Sequence, residues 1–412
     1  MMSTRLGDVV AVKSGFAFKS ADWLDVGVPV IKIANVKDGW INLDGCSFVS
    51  EEVAHSARPF ELTRGDVLIS MTGHIGQVAK VRDEGRMLLN QRVGRFSIKK
   101  RDRINAEYLF QWLRLPEVRA VFEAHAYGAA QPNISPSLIE QQSIPLPPLP
   151  VQRRIASILS AYDDLIENNT RRIAILEEMA RRIYEEWFVR FRFPGHERVR
   201  MVESELGLVP EGWEVAVLGH LAEVNARSVR RGAEPTDIRY VDISSVSTGS
   251  IDNKEPMLFV DAPSRARRIV RDGDVIWACV RPNRKSYALV VNPEPNLLVS
   301  TGFAVLSPIG APSSFVYQCV TTDDFVSHLV NHAKGAAYPA VGSEDFEYAK
   351  VLKPASALLT AFDRIAEPMM RLVAALQVKN ANLQSTRNLL LPKLISGELD
   401  VSAMPEPEAL AA

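Results

Sequence analysis

Apolar residues recur every three to four positions in two stretches of the chain, which is the period of one face of an α-helix. The first stretch carries Ile155, Ile158, Leu159, Tyr162, Leu165, Ile166, Ile173, Leu176, Ile183 and Trp187. In the second stretch Phe362, Met369, Leu376, Leu383 and Leu390 fall every seven residues, with Ile365, Leu372 and Val373 beside them. The pattern predicts two long helices of the coiled-coil type, the first over residues 151–191.

Prolines occur just before the first helical pattern and within the second. A proline-rich run at residues 145–150 precedes the first one, and proline is accepted at a helix start but not in its interior. We therefore expect a stiff elbow followed by a helix. Pro368 lies inside the second pattern, where it predicts a break or kink, with the longest continuous stretch running from about Pro368 to Ile395.

The segments before each helix have a different texture. Short runs rich in Val, Ile and Phe, such as residues 28–33 and 66–71, are broken by Gly, Pro and Asn. These runs predict strands of a mixed sheet with tight turns, and residues 106–122 are typical of a helix.

The chain also repeats itself. Residues 157–163 resemble residues 357–363, Gly65-Asp66 resembles Gly273-Asp274, and Leu6-Gly7 resembles Leu218-Gly219. A period near 200 residues is too long for a solenoid and indicates a duplicated domain-plus-helix unit. The predicted fold is α/β (α+β): two mixed α/β domains, residues 1–149 and 205–354, separated by two long antiparallel coiled-coil helices, residues 150–195 and 355–399, with pseudo-two-fold symmetry. The alternative is two separate helical hairpins inside ordinary domains.

Composition limits the class of protein. Hydrophobic residues make up 47% and charged residues 24% of the 412 positions, as in globular proteins. Three cysteines, Cys46, Cys279 and Cys319, lie far apart, which argues against a disulfide scaffold or a cysteine-rich zinc module and fits a reducing compartment. No apolar run approaches the ~18–20 residues that cross a bilayer, and the first residues do not resemble a signal peptide. We expect a cytoplasmic protein without a membrane partner.

The net charge is −1, so a nucleic-acid surface would have to be a local patch. Each domain has a cationic stretch. The first comprises Lys80, Arg82, Arg86, Arg92, Arg95, Lys99, Lys100, Arg101 and Arg103, and the second comprises Arg227, Arg230, Arg231, Arg265, Arg267, Arg268, Arg281, Arg284 and Lys285. Charge runs are often only solvated faces, but two non-identical domains on a helical spacer would suit a split DNA target.

Several motifs carry a family resemblance. Residues 144–155, followed by Ile158, Leu159 and Asp163, resemble the central conserved region of the DNA-specificity subunits of type I restriction–modification systems. Residues 389–399 are similar to the distal conserved region of that family. In the first domain, residues 65–76, 90–92 and 128–135 resemble the landmarks of its target-recognition domains. Val151 stands where the family usually has an acidic residue, and Tyr338-Pro339-Ala340-Val341 lacks the Asn and Ser of the corresponding first-domain segment.

The resemblance implies a non-catalytic subunit that reads a bipartite, asymmetric sequence in double-stranded DNA. Two methyltransferase subunits and separate restriction and translocase subunits would bind to it. S-adenosylmethionine, ATP and Mg²⁺ are expected on those partners and no cofactor on this chain. From residue type and loop placement we predict DNA contacts by Lys19, Asn35, His74, Gln91, Arg92, Gln131 and Asn133 in the first domain, and by Arg227, Arg230, Arg281, Asn283, Arg284 and Lys285 in the second.

Other chemistry is weakly supported. The chain has no phosphate-binding GxxxxGK[ST] loop, and Asn292-Pro293-Glu294-Pro295 lacks the aromatic residue of an amino-methyltransferase motif, so it is interpreted as a turn. His328 and His332 are spaced for one metal but have no evident third ligand. A metal-dependent nuclease built on Asp242, Asp252 and Lys254, and a purely structural coiled-coil scaffold, remain as alternative functions.

Overall fold

The computed structural model describes residues 3–82, 84–126 and 132–404, which divide into two compact units. Unit 1 comprises Met1–Ile166 and Asn382–Ala412, and unit 2 comprises Glu167–Ala381. Each unit therefore combines one sheet-containing domain with a segment from each of two long helices. The boundaries predicted from the sequence instead assigned each whole helix to a separate spacer.

Unit 1 begins with a domain of short strands and helices. Its strands are β1 (Ser3–Arg5), β2 (Val10–Ser14), β3 (Val28–Ile31), β4 (Ser47–Val49), β5 (Glu61–Leu62), β6 (Val67–Ser70), β7 (Val78–Lys80), β8 (Met87–Leu89), β9 (Val93–Ile98) and β10 (Ser143–Pro145). Its helices are α1 (Glu51–Ser56), α2 (Ala106–Leu113), α3 (Pro116–Ala124) and α4 (Pro136–Glu140), and α5 (Leu149–Tyr184) follows them.

The domain of unit 2 is built in the same way. Its strands are β11 (Met201–Ser204), β12 (Gly207–Pro210), β13 (Glu214–Val217), β14 (Ala222–Val224), β15 (Asp237–Val241), β16 (Val246–Ser247), β17 (Ser250–Ile251), β18 (Glu255–Leu258), β19 (Ala266–Ile269), β20 (Val275–Ala278), β21 (Tyr287–Leu289), β22 (Leu297–Ser300), β23 (Phe303–Pro308) and β24 (Lys350–Lys353). Its helices are α6 (Ser313–Thr321), α7 (Asp323–His332) and α8 (Ser343–Glu347), followed by α9 (Ser356–Ser396).

The sheets of the two domains have matching strand orders. The order β2-β9-β6-β7 in unit 1 corresponds to β14-β23-β20-β21 in unit 2, and β4-β3-β8-β5 corresponds to β18-β15-β22-β19. In each second sheet the two central strands, β3 with β8 and β15 with β22, run parallel while their other pairings are antiparallel. The duplication seen in the sequence is thus a duplication of topology.

Two long helices are present, as the heptad pattern predicts. α5 begins at Leu149 with Pro150 in its first turn, where proline is tolerated. It is followed by a π-helical turn over Glu185–Val189, so the predicted extent to residue 191 is nearly reached. The mixed α/β architecture with a long helix between sheet-containing domains is therefore confirmed.

The predicted break at Pro368 is wrong, because α9 runs without interruption from Ser356 to Ser396. Proline removes one helical hydrogen bond and crowds the preceding turn, but tertiary packing can offset that cost. Ala366 and Met370, on either side of Pro368, are both buried in the core of unit 2. Their burial stabilises the helical conformation through the proline.

The helix segments pack antiparallel within unit 2. Asn169 of α5 donates from Nδ2 to Oδ1 of Asn380 of α9 at 2.8 Å, and both residues are buried. Farther along α5, Tyr184 lies 6.1 Å from Phe362, ring centroid to ring centroid. The later residue of α5 therefore contacts the earlier residue of α9, so the two helices run in opposite directions. A buried amide pair in an apolar helix seam fixes the register of the two helices, because any shift would leave both amides unpaired.

Candidate nucleic-acid interface

Three chain segments meet at the end of the first sheet of unit 1. Thr72, just after β6, forms a bridge with Asn133, and its hydroxyl donates to Asn133 Oδ1 at 2.8 Å. The amide of Ile134 donates to the carbonyl of Met71 at 2.9 Å, and the amide of Met71 donates to the carbonyl of Arg92 at 3.1 Å. We call this meeting of residues 71–76, 90–92 and 132–136 the unit 1 junction.

Four predicted contact residues lie at the unit 1 junction. Gln91 and Arg92 are exposed on the turn between β8 and β9, and Asn133 is half-buried opposite them. An open hollow is lined by Ser14, Thr72, Gln91, Arg92, Asn133 and Ser135, together with Met71, Ile134 and Pro136. His74 is exposed on the loop after β6. The hollow therefore presents amide, hydroxyl and guanidinium groups, which are the groups that read base edges in DNA.

The loop after β6 depends on glycine. Gly73 and Gly76 have φ angles of 72° and 76°, in the left-handed region that glycine occupies without steric cost. The amide of Gly73 donates to the carbonyl of Pro132 at 3.1 Å, and the amide of Gly76 donates to the carbonyl of Ser70 at 3.0 Å. These bonds hold the loop against the neighbouring segments and keep His74 at its tip.

Unit 2 contains the same junction, formed by residues 279–285, 300–302 and 337–341. Val280 forms a bridge with Ala340, the amide of Val341 donates to the carbonyl of Cys279 at 3.0 Å, and the amide of Cys279 donates to the carbonyl of Gly302 at 2.9 Å. These bonds correspond one for one to those of Thr72, Ile134 and Met71 in unit 1. We call this arrangement the unit 2 junction.

Four further predicted contact residues lie on one loop of the unit 2 junction. Arg281 and Lys285 flank a short 3₁₀ turn, and both have a φ of 53°. Asn283 and Arg284 are exposed on that turn, while Pro282 is buried beneath it. The loop therefore displays three cationic side chains and an amide on a backbone anchored at its base.

The electrostatics of this loop are only partly neutralised. Lys285 Nζ lies 2.7 Å from Asp323 Oδ1, and this hydrogen bond and charge hold the pKa of Asp323 below its usual value. Arg281 and Arg284 form no ion pair with a carboxylate among the residues that the structure describes. Burial raises the pKa of the neighbouring Cys279 thiol to about 11, so it is not a reactive thiolate at neutral pH.

Two predicted contact residues have structural roles instead. Asn35 is buried; its Oδ1 accepts from the amide of Lys32 at 3.0 Å, and its Nδ2 donates to the carbonyl of Asn42 at 2.8 Å. Arg227 donates to the buried Asp274 at 2.7 Å and to Ser307 at 2.8 Å. Since these contacts hold the Asn35 amide and Nη2 of Arg227 inside the domains, the structure does not bring Asn35 or Arg227 to a junction.

The remaining predicted residues lie elsewhere. Lys19 is exposed on the loop after β2, and Arg230 is exposed on the loop after β14. Gln131 lies outside the described residues.

Tyr338 is a residue that sequence reasoning missed: its ring lies 4.7 Å from the guanidinium carbon of Arg281. The sequence signal that could have identified Tyr338 is the alignment of Tyr338-Pro339 with Gln131-Pro132. In the structure the carbonyls of Pro132 and Pro339 accept equivalent hydrogen bonds, from the amides of Gly73 and Arg281.

Four of the residues predicted for metal or nuclease chemistry, Asp242, Lys254, His328 and His332, make other contacts. Asp242 pairs with Arg265 at 2.6 Å, and Lys254 pairs with Glu294 at 3.0 Å. His328 Nε2 lies 3.0 Å from the carbonyl of Asp345, and the ring of His332 is 4.1 Å from that of His328. Across residues 3–82, 84–126 and 132–404, no three His, Cys, Asp or Glu side chains converge as metal ligands would.

The helices in the described part of the chain include none with the length and apolar character needed to span a bilayer. Taken together, the fold and the two junctions define a duplicated α/β protein with two candidate nucleic-acid-binding surfaces.

Comparison with known proteins finds one kind of relative. Residues 1–178 match the family described as Type I restriction modification DNA specificity domain. The MjaIX specificity subunit of a type I restriction enzyme from Methanocaldococcus jannaschii is 24% identical over 347 residues, which cover 83% of this chain and 79% of that protein. The EcoBI specificity subunit from Escherichia coli is 22% identical over 96% of this chain and 85% of its own length.

One solved structure shares the fold. The type I restriction-modification system S subunit from M. genitalium superposes with a TM-score of 0.61 at 15% identity and covers 95% of both chains. The match over residues 1–178 and the two similar specificity subunits confirm the predicted resemblance to type I specificity subunits.

Proposed function

We propose that this chain is the sequence-specific DNA-binding subunit of a type I restriction–modification complex, in which each unit reads one part of a split target. The observation that carries the proposal is the junction built twice from equivalent backbone hydrogen bonds but with different exposed side chains. A duplicated frame conserves the position of the reading surface, while the side chains on it set which bases are preferred.

The two reading surfaces differ enough to favour an asymmetric target. In unit 1 the exposed polar groups come from Gln91 and Arg92 on the turn between β8 and β9. The equivalent turn of unit 2 holds Thr301 and Gly302, and its cationic groups come instead from Arg281 and Arg284 after β20. Two surfaces with different donors at different places would recognise two different short sequences.

Affinity on this proposal comes from local charge. The chain as a whole has a net charge of −1, so long-range attraction to DNA is weak and phosphate contacts must come from the arginines and lysines around the junctions. Such contacts release counterions, which makes binding fall steeply with salt concentration.

The long helices α5 and α9 are proposed to fix the length of the unread gap between the two parts of the target. Each helix contributes residues to both units, so a change in helix length affects both recognition domains. On the same proposal two methyltransferase subunits and the restriction and translocase subunits bind this chain. They supply S-adenosylmethionine, ATP and Mg²⁺ chemistry, and this chain supplies no catalytic residue.

The proposal is tested by selecting duplexes from a randomised DNA library with the full chain and sequencing the retained pool. The expected result is two short conserved blocks separated by a gap of fixed length and variable sequence. Arg92→Ala is expected to change one block and Arg284→Ala the other. Arg64→Ala serves as a control, since Arg64 is an exposed arginine of unit 1 that pairs with Glu84 away from the junction.

A retained pool with no enriched sequence would overturn the proposal. Binding of the enriched duplex, followed by fluorescence anisotropy across a salt series, gives an independent check. The slope of log affinity against log salt is expected to fall by about one for each phosphate contact that a substitution removes.

A further inference from the structure

Arg281 occupies a backbone position that unit 1 fills with glycine. Its amide donates to the carbonyl of Pro339 at 2.7 Å, as the amide of Gly73 donates to Pro132 in unit 1. Both residues have left-handed backbones, with φ of 53° for Arg281 and 72° for Gly73. A non-glycine residue in this conformation is strained, and such strain persists where the surrounding structure imposes it, which is common at functional sites.

The loop that carries Arg281 is fixed at both ends. Its far end is Lys285, which also has a φ of 53° and whose carbonyl accepts from Thr248 Oγ1 at 2.9 Å. The Lys285 ammonium pairs with Asp323 at 2.7 Å, and Pro282 is buried between the two ends. The backbone of Arg281 is therefore held in one place before any ligand binds.

The side chain of Arg281 is also oriented. Its guanidinium lies over the ring of Tyr338 at 4.7 Å, and Nη2 donates to the carbonyl of Ala337 at 3.4 Å. Within the described ranges no carboxylate pairs with it. Tyr338 itself is 69% exposed, so its ring is not part of the hydrophobic core. Of the guanidinium nitrogens of Arg281, only Nη2 has a hydrogen-bond partner within the described residues, so its other N–H groups are available to a ligand.

We propose that Arg281 reads a guanine in the part of the DNA target recognised by unit 2, and that Tyr338 is its positioning residue. This inference rests on the proposed function and names the base-reading group of one surface. Guanine presents two acceptors, O6 and N7, in the major groove, and the planar fork of arginine matches both at once. A pre-oriented guanidinium loses less freedom on forming these bonds than a mobile side chain does.

The comparison between units supports this assignment. Each junction holds an exposed or half-buried arginine at one of two positions: Arg92 on the turn of unit 1, and Arg281 on the loop of unit 2. The position equivalent to each arginine in the other unit is a glycine, Gly302 and Gly73 respectively. Each surface therefore carries an arginine where the other has a glycine, so the guanidinium groups of Arg92 and Arg281 lie at different locations on the two junctions.

The test measures base preference in the duplex selected by the wild-type chain. Each position of the two conserved blocks is varied, and the affinity ratio between the preferred and the other bases is determined by anisotropy. Arg281→Gly relieves the backbone strain and removes the side chain, Arg281→Lys keeps the charge but loses the fork, and Tyr338→Phe keeps the ring. Tyr338→Ala removes the ring, and Tyr348→Ala is the matched control because Tyr348 is 66% exposed.

Arg281→Gly and Arg281→Lys are expected to lower the preference for guanine at one position of one block by roughly 5- to 150-fold, with the other block unchanged. Tyr338→Ala is expected to lower the same preference, Tyr338→Phe to retain it, and Tyr348→Ala to leave it untouched. The thermal unfolding temperatures of Arg281→Gly and Tyr338→Ala are expected to stay near that of the wild type.

Two results would overturn the inference while leaving the proposed function intact. One is an unchanged guanine preference in Arg281→Gly. The other is a loss of affinity that is uniform across sequences and accompanied by a smaller salt slope, which identifies a phosphate contact. A wild-type chain that enriches no sequence at all would instead contradict the proposed function itself.

Discussion

Asp163 of α5 accepts a hydrogen bond from Arg387 of α9 at 2.6 Å, although the two residues are 224 positions apart in the chain. Both side chains are buried. Arg114, after α2, also pairs with Asp163 at 3.0 Å, and Gln111 of α2 donates to it at 2.7 Å. One carboxylate therefore links the first domain to both helices of unit 1.

Unit 2 attaches its domain to the helices by different chemistry. Asp363, the counterpart of Asp163 in the repeat, accepts from Ser314 Oγ at 2.6 Å. The counterpart of Arg387 is Trp187, whose ring lies 6.1 Å from that of Phe362. Phe188 packs 5.1 Å from Phe362 and 5.0 Å from Phe315, centroid to centroid. The repeat has kept the aspartate and replaced the buried ion network with aromatic packing.

Removing Arg387 is expected to destabilise the protein strongly. In Arg387→Ala the buried Asp163 carboxylate keeps only Arg114 and Gln111, and breaking a buried pair costs about 3 kcal/mol or more of unfolding free energy. The measurement is urea unfolding at neutral pH. Arg371→Ala is the control on the same helix, because Arg371 is nearly half exposed and its ion pairs are worth less than about 1 kcal/mol. Equal losses for the two variants would contradict the importance of the buried network.

The Asp163 network is also expected to make stability depend on pH. Burial by itself would raise the pKa of Asp163, but the charges of Arg114 and Arg387 and the bond from Gln111 outweigh it and hold the pKa below its usual value. A carboxyl whose pKa is lower in the folded than in the unfolded state contributes stability above its unfolded pKa of roughly 3.9. That contribution is lost as the pH falls through the folded pKa.

The check is to compare the unfolding free energies of the wild type and Asp163→Asn from pH 7 down to pH 3. The difference between them is expected to be constant above about pH 5 and to shrink below pH 4. Asp400→Asn is the control for an exposed aspartate, since its lowered pKa comes from bonds with Ser402 at the surface. If the difference in unfolding free energy between the wild type and Asp163→Asn increased on acidification, the pKa of Asp163 in the folded state would be raised instead.

Gly15 is expected to be essential to the unit 1 junction. A Cβ at this position would overlap the carbonyl of Leu89, immediately before the turn that carries Gln91 and Arg92. The next residue, Phe16, accepts from the amide of Gln91 at 2.9 Å, so a displaced Leu89 would move the turn. Gly15→Ala is predicted to cost about 2–4 kcal/mol of unfolding free energy.

The same variant is predicted to weaken recognition of one block of the selected duplex, measured by anisotropy. Gly85→Ala provides the control, because a Cβ there would meet open space. A Gly15→Ala protein with wild-type stability and wild-type selectivity would disprove that the close approach of Gly15 to the Leu89 carbonyl matters for the junction.

The length of the helices is predicted to set the gap in the DNA target. Inserting seven residues into both α5 and α9 adds about 10.5 Å to each helix, which corresponds to about three base pairs of B-DNA. The two conserved blocks in the selected pool are expected to stay the same while the gap lengthens. Insertion into α5 alone is the control, because it removes the register set by Asn169 and Asn380 and is expected to destabilise the chain. An unchanged gap in the DNA selected by the protein with both insertions would refute the prediction that helix length sets the gap.

Much of the fold could be predicted from the chain because its signals are periodic or repeated. The heptads of Phe362, Leu376 and their neighbours located α9, and residue spacing gave α5 within a few positions of its observed ends. The duplication was visible from local motifs such as Gly65-Asp66 and Gly273-Asp274, whose turns have the same positive-φ glycine. These features depend on residues close together in sequence.

The sites were harder to predict because they depend on contacts between distant segments. Asn35 has the composition of a base-reading residue, but only the fold shows that its amide is occupied by Lys32 and Asn42. Tyr338 gains its role from Arg281, which is more than fifty residues earlier and adjacent only after the unit 2 junction forms. The helix through Pro368 likewise depends on core packing that no local rule contains.

The division of each long helix between the two units has a consequence for synthesis on the ribosome. The core of unit 1 includes Ile155 and Leu159 together with Leu391, Leu394 and Ile395, which emerge roughly 235 residues later. At about 5–20 residues per second, the first domain waits on the order of 10–50 s with the apolar side of its helix uncovered. During that interval the nascent chain is open to chaperones and to neighbouring copies, so the speed of translation becomes a factor in how much correctly assembled protein a cell obtains.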